Sequence, residues 1–212
     1  MTCEIFESTE SFAMKPAQKA RAENTVRTFI ALELAPEIKQ AIAAYLLPLR
    51  KFADGISWVK NENLHLTLKF LGETPGIQIP ELAKIFEEIC SRYEPMRALV
   101  SGSGVFPNEK SPRVLWLGLQ TESDSLNRLA KEIDAACTRF GFKTEVRPFA
   151  PHLTIGRVRE GKAAEVIKTL RERPFPSKEI NFQECTLMKS ELHSPGSIHT
   201  PLQKFAFRVI SK

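Results

Sequence analysis

Cysteine is scarce in this chain, and what there is lies scattered. Cys3, Cys90, Cys137 and Cys185 form no C-x-x-C pair and lack the density of a disulfide scaffold, so four reduced thiols are expected. Long apolar runs are missing too. None approaches the roughly 20 residues that a bilayer-crossing helix needs, so no membrane is expected as a partner. The first 24 residues carry Glu4, Glu7, Glu10 and Glu23 and no continuous apolar stretch, which argues against a signal or transit peptide and for the cytoplasm. Low complexity is absent: 42% hydrophobic and 26% charged residues with 10 Gly and 14 Pro is the make-up of an ordinary globular protein. A length of 212 residues suffices for one two-lobed domain with a sizeable core. Residues 1–24, polar and without periodicity, read as an extension, and 25–212 as the domain.

The formal charge of +5 favours a phosphate-bearing partner, since a basic surface raises the local concentration of polyanions. Along the chain, period-two and continuous apolar runs predict strands at 26–34, 56–59 and 64–71, the last ended by Gly72. Further strands are predicted at 98–105, 114–119, 152–155, 179–192 and 203–210. Apolar residues at spacings of three and four predict helices at 36–51, 79–92, 125–140 and 163–171. Pro36 suits the first helical turn, and Gly141 a helix C-cap. Strand pairs mixed with single helices predict an α+β fold with largely antiparallel sheets.

Histidine is as scarce as cysteine, with four residues, yet two of them stand in the same tripeptide. His65-Leu66-Thr67 and His152-Leu153-Thr154 are each followed by an aliphatic residue. This composition yields about 0.02 copies of that tripeptide by chance, so the repeat points to an internal duplication and two related lobes. On a strand, residues i and i+2 share a face, so His65 projects with Thr67 and His152 with Thr154, while Leu64, Leu66, Leu68, Leu153 and Ile155 turn to the core. A single strand histidine is ordinarily a structural residue. Two such His/Thr pairs facing each other about a pseudo-twofold axis suit attack on a phosphodiester, which needs a base, an acid and donors for the non-bridging oxygens. Arg157 would face away from His152 on an unbroken strand. A bulge at Gly156 would return it to the histidine face, where a guanidinium can grip phosphate. Trp58, Trp116, Phe70 and Phe149 are candidates for stacking a base. His193 and His199 lack ligand spacing to the motifs, so neither metal nor cofactor is expected.

The two motifs, within 62–73 and 149–157, resemble those of the 2H phosphoesterase superfamily, and more closely its RNA 2′,3′-cyclic phosphodiesterase branch, historically the 2′-5′ RNA ligases. Arg27-Thr28-Phe29-Ile30-Ala31, Trp58-Val59, Phe106-Pro107 and Pro112 to Trp116 agree with it. The resemblance spans about 26–210. It implies a bilobal pseudo-twofold fold, with two antiparallel sheets facing a central cleft and helices packed outside. It also implies a monomeric enzyme that opens 2′,3′-cyclic phosphates on RNA ends or small nucleotides to 2′-phosphates without a metal. His65 would be the general acid and His152 the general base, with Thr67, Thr154 and Arg157 holding the phosphate. The alternatives are a non-catalytic nucleotide-binding module and reversible 2′-5′ ligation. The segment 196–202 departs from the family, with His199 where Tyr is more usual.

Overall fold

The computed structural model describes residues 24–52, 55–159, 163–194 and 196–208. In chain order the elements are β1 (Thr25–Glu33), α1 (Pro36–Leu46), β2 (Ile56–Trp58), β3 (His65–Pro75), α2 (Ile79–Cys90), β4 (Met96–Phe106), β5 (Val114–Gln120), α3 (Ser125–Thr138), β6 (His152–Val158), α4 (Ala164–Glu172), β7 (Lys178–Phe182), β8 (Glu184–His193) and β9 (Gly196–Ala206). Apart from Asn24, the N-terminal extension lies outside the described residues, as do Cys3 and Ile210.

The helices begin and end for local reasons. Pro36 opens α1, where its missing N–H would have had no intrahelical partner. The stripe Ile38, Ile42 and Leu46 is buried. The helix stops at Leu46 rather than running to 51, because Pro48 cannot donate and its ring disfavours helix in the residue before it. In α3 the buried stripe is Leu126, Leu129, Ala130, Ile133 and Cys137. Gly141 follows at φ +84°, a left-handed position that glycine takes without a Cβ penalty.

All strand pairs are antiparallel, in the order β7-β4-β5-β6-β3-β1-β8-β9, with β2 also on β6. The two lobes, β3-β1-β8-β9 and β6-β5-β4-β7, are thus continuous through a single pairing, Leu66 with Leu153. The helices cover one face of the sheet: α3 lies against β3, α2 against β8 and β9, and α4 against β4. On that face Leu64, Leu66, Leu153 and Ile155 are 1% exposed or less, as the alternation requires. The other face carries the histidines.

Three strand segments differ from the sequence reading. The run predicted as one strand at 179–192 is two: β7 pairs with β4 in one lobe and β8 with β1 in the other. The last strand starts at Gly196, not at 203. Pro201 is tolerated because β9 is an edge strand, where a missing N–H breaks no ladder, and the register shifts beside it. Likewise Gly72 does not end β3; at φ +71° it sits at a register shift against β1 and the strand continues to Pro75. Cys90, Cys137 and Cys185 are free and buried.

Candidate active site

The Leu66–Leu153 pair is the hinge of the constellation. In an antiparallel pairing the neighbours on either side are His65 with Thr154 and Thr67 with His152, so all four polar side chains stand on the face opposite the leucines. The duplication therefore brings both motifs to one spot, each histidine beside the other lobe's threonine.

Both imidazoles are held by the same device. Nδ1 of His65 meets the Asn63 carbonyl at 2.7 Å, and Nδ1 of His152 meets the Ala150 carbonyl at 2.7 Å. A carbonyl only accepts, so in each ring Nδ1 carries the hydrogen and Nε2 is the working nitrogen. Nε2 of His65 lies 3.0 Å from Oγ1 of Thr67. When the ring is neutral the threonine hydroxyl donates to it; when the ring is protonated the hydroxyl is released for another acceptor.

Bulges decide what else reaches this face. Between Thr154 and Gly156 the register against β5 slips by one, so Ile155 and Gly156 both turn inward, and Arg157, exposed, returns to the histidine face opposite Val114. Gly156 is needed for close approach: a Cβ there would come within 3.1 Å of Ile56 and 3.3 Å of Trp58. The expected bulge is present. In β3 a matching slip follows Thr67, so Leu68 and Lys69 both turn inward and Phe70 comes to the outer face. Lys69, 3% exposed, is satisfied there by Asp134 and by the Lys143 carbonyl, both at 2.5 Å. Phe70 thus occupies in one lobe the position that Arg157 occupies in the other. Of the four candidate stacking rings it is the exposed one, at 56%. Trp58 and Phe149 pack on the core, and Trp116 packs on Phe106.

The two histidines sit in different surroundings. His65 stacks on Phe29 with ring centres 4.8 Å apart, and the His199 ring meets it edge-on at 5.3 Å. His152 meets the edge of Phe106 at 5.1 Å. Burial pushes the pKa of His65 down to about 4, assisted by His199 and more weakly by Lys39 and Arg157; the Asn63 carbonyl works in the opposite direction. His65 is therefore neutral in the empty site at neutral pH. Burial also lowers the pKa of His199.

His199, Phe29 and Asn63 are the neighbours that sequence reasoning left without a role. His199 is the fourth residue of β9, the last hairpin's returning strand, in a segment outside the predicted strands, and no local signal ties it to His65. No group of three or more His, Cys, Asp or Glu side chains converges among the described residues, and none of their helices is long and apolar enough to cross a membrane.

Comparison with known proteins finds relatives over most of the chain. Residues 33–193 match the model of the 2′-5′ RNA ligase superfamily. An RNA 2′,3′-cyclic phosphodiesterase of Thermotoga maritima is 35% identical over 185 residues, covering 86% of this chain and 96% of that protein. One of Geobacillus stearothermophilus is 31% identical over 81% of this chain, which spans only 54% of that relative's length. Among solved structures, E. coli LigT complexed with 3′-AMP superposes with a TM-score of 0.66 at 26% identity, covering 87% of this chain and 99% of the other.

Proposed function

The chain belongs to the 2′-5′ RNA ligase superfamily, and on that premise we propose that it hydrolyses RNA 2′,3′-cyclic phosphate ends to 2′-phosphates with its two histidines and without a metal. The observation that carries the reading is the pairing of Leu66 with Leu153, which sets two Nε2-presenting imidazoles and two threonine hydroxyls on one face of the sheet. The activity named for the relatives and the nucleotide held by the LigT structure support it.

In this reading water attacks phosphorus while His152 accepts its proton at Nε2. The bond from phosphorus to the 3′ oxygen breaks, and His65 gives that oxygen a proton from Nε2, leaving the phosphate on the 2′ oxygen. One water is consumed, and solvent returns the proton from His152 to His65. The neutral state of His65 in the empty site is compatible with an acid role because a bound phosphodiester anion raises the affinity of the adjacent imidazole for a proton. That proton frees the Thr67 hydroxyl to donate, with Thr154, to the non-bridging oxygens. Arg157 balances their charge. Phe70 supplies the exposed ring for the terminal base. Residues 25–212 act as one bilobal domain, as a monomer in the cytoplasm, on RNA ends or small cyclic nucleotides.

The decisive experiment incubates EDTA-treated protein with an oligoribonucleotide ending in a 2′,3′-cyclic phosphate and identifies the product by mass and phosphorus NMR. A 2′-phosphate is expected. A 3′-phosphate, no turnover, or turnover only after zinc is added would overturn the proposal.

A further inference from the structure

The β8–β9 hairpin does more than extend the sheet. β8 pairs with β1 only through Thr186 to Lys189; beyond that its outer part pairs with β9 alone. A flat sheet would hold β9 three strand spacings, about 14 Å, from β3. The ring of His199 on β9 is instead 5.3 Å from that of His65 and 4.9 Å from Phe29. The end of the hairpin therefore folds across the histidine-bearing face. It is tied down by Asn63, whose Nδ2 donates to the Ser197 carbonyl at 2.6 Å. The carbonyl of the same Asn63 accepts the Nδ1 hydrogen of His65. One residue thus anchors the hairpin through its side chain and the catalytic imidazole through its backbone.

His199 is costly where it is. Its Nδ1 is buried without a hydrogen-bond partner, and a buried unpaired polar nitrogen costs free energy that an apolar ring would avoid. The ring meets both Phe29 and His65 at 70°, 4.9 Å from the one and 5.3 Å from the other, so it packs beside Phe29 and extends the aromatic wall against the His65 imidazole.

We propose that His199 is a positioning residue for the reaction at His65: with Phe29 it builds one aromatic wall that props the imidazole so that Nε2 stays aimed past Thr67, and it keeps the ring shielded from water until a phosphate arrives. The inference rests on the hydrolytic reading of the site. The charged groups that face His65 are Lys39 from α1, Arg157 from β6 and, paired beside it on β1, Glu33, whose carboxylate accepts from Thr186 and lies 3.7 Å from Lys204. Lys39 and Arg157 lower the proton affinity of His65 independently of His199, so a change at position 199 is read against a constant background.

The test has one arm without substrate and one with it. In the first, the imidazole of His65 is titrated by NMR in ligand-free wild type, His199→Phe and His199→Ala. The Phe variant keeps a ring against Phe29 and His65 but removes the charge of His199, so His65 should titrate somewhat above its wild-type value of about 4 and clearly below the Ala variant. The Ala variant opens the wall to water, and His65 should titrate at least about one pH unit higher. In the second, with cyclic-phosphate RNA, His199→Ala should lower kcat at least about tenfold with KM within about threefold, and His199→Phe should stay within about threefold of wild type in both. Should the Ala protein not fold, His199→Gln, which also removes the aromatic wall, carries the same expectations. An unmoved His65 titration in a folded Ala or Gln variant overturns the proposal, as does an unchanged kcat. If wild type itself turns over no RNA, the hydrolytic reading fails, and the NMR arm still decides whether His199 governs His65.

Discussion

Acidification should destabilise this protein through His65, and the effect can be isolated. The imidazole titrates at about 4 in the folded protein against 6.5 ordinarily, chiefly because it is buried. Between those values the unfolded chain binds a proton that the folded one refuses, so stability rises with pH across the window. Read downward, the stability is intact above about pH 6.5, falls as the pH drops, and is fully lost by about pH 4. At pH 4.5 the loss from this one group comes to about 2.5 kcal/mol. For a domain of this size that corresponds to about 5–10 °C in Tm. Carboxylates titrate over the same range, which a comparison of variants removes. Wild type and His65→Gln are unfolded in urea at pH 7 and at pH 4.5. Whatever the substitution does to packing, the gap between the two proteins should move by about 2.5 kcal/mol in favour of the variant on going to the lower pH. A gap that stays constant within about 0.5 kcal/mol would show that His65 is not held neutral by its surroundings and would refute the reasoning.

Four further outcomes are expected. His65→Ala and His152→Ala should each reduce turnover at least about a hundredfold, and the double variant should be little worse than either, as steady-state kinetics would show. Arg157→Lys keeps the charge but loses the planar fork, so KM for a cyclic-phosphate end should rise about three- to tenfold and inhibition by inorganic phosphate should weaken; unaltered constants would remove Arg157 from the site. Gly104→Ala should displace Trp116, whose ring a Cβ would overlap, and through Phe106 disturb His152, lowering kcat while the far-UV spectrum stays unchanged. Phe70→Ala should weaken binding of substrates with a base by about 1–3 kcal/mol and leave a base-free cyclic phosphodiester unaffected; equal losses on both would exclude stacking.

Much of the site was legible in the sequence because its central device is local and repeated. The tripeptide His-Leu-Thr sorts imidazole and hydroxyl to one face and leucine to the other by the period of a strand, and Leu66 and Leu153 are buried as that period demands. The bulge that brings Arg157 round was readable for the same reason: a glycine in an alternating strand marks close approach, and Gly156 has Ile56 and Trp58 against it. Helix starts and stops followed from Pro36 and Gly141. The matching bulge in β3 carries no glycine, and there Lys69 turns inward because Asp134, far along the chain on α3, waits to pair with it.

What the tertiary structure alone decided is who stands next to His65. The chain from 179 to 192 reads as one strand, and nothing local tells where it breaks. The break after Phe182 arises because β7 completes the edge of one lobe while β8 is drawn beside β1 in the other. Pairing with strands so far away along the chain is non-local, so the hydrophobic pattern cannot encode it. The fold-over of the last hairpin is of the same kind: it depends on Phe29, Ala31 and Met188 forming a small apolar cluster on the histidine face and on Asn63 reaching Ser197. His199 reaches the imidazole through those contacts, and its place beside His65 is set by the curl of the sheet, a property of the assembled strands rather than of any segment.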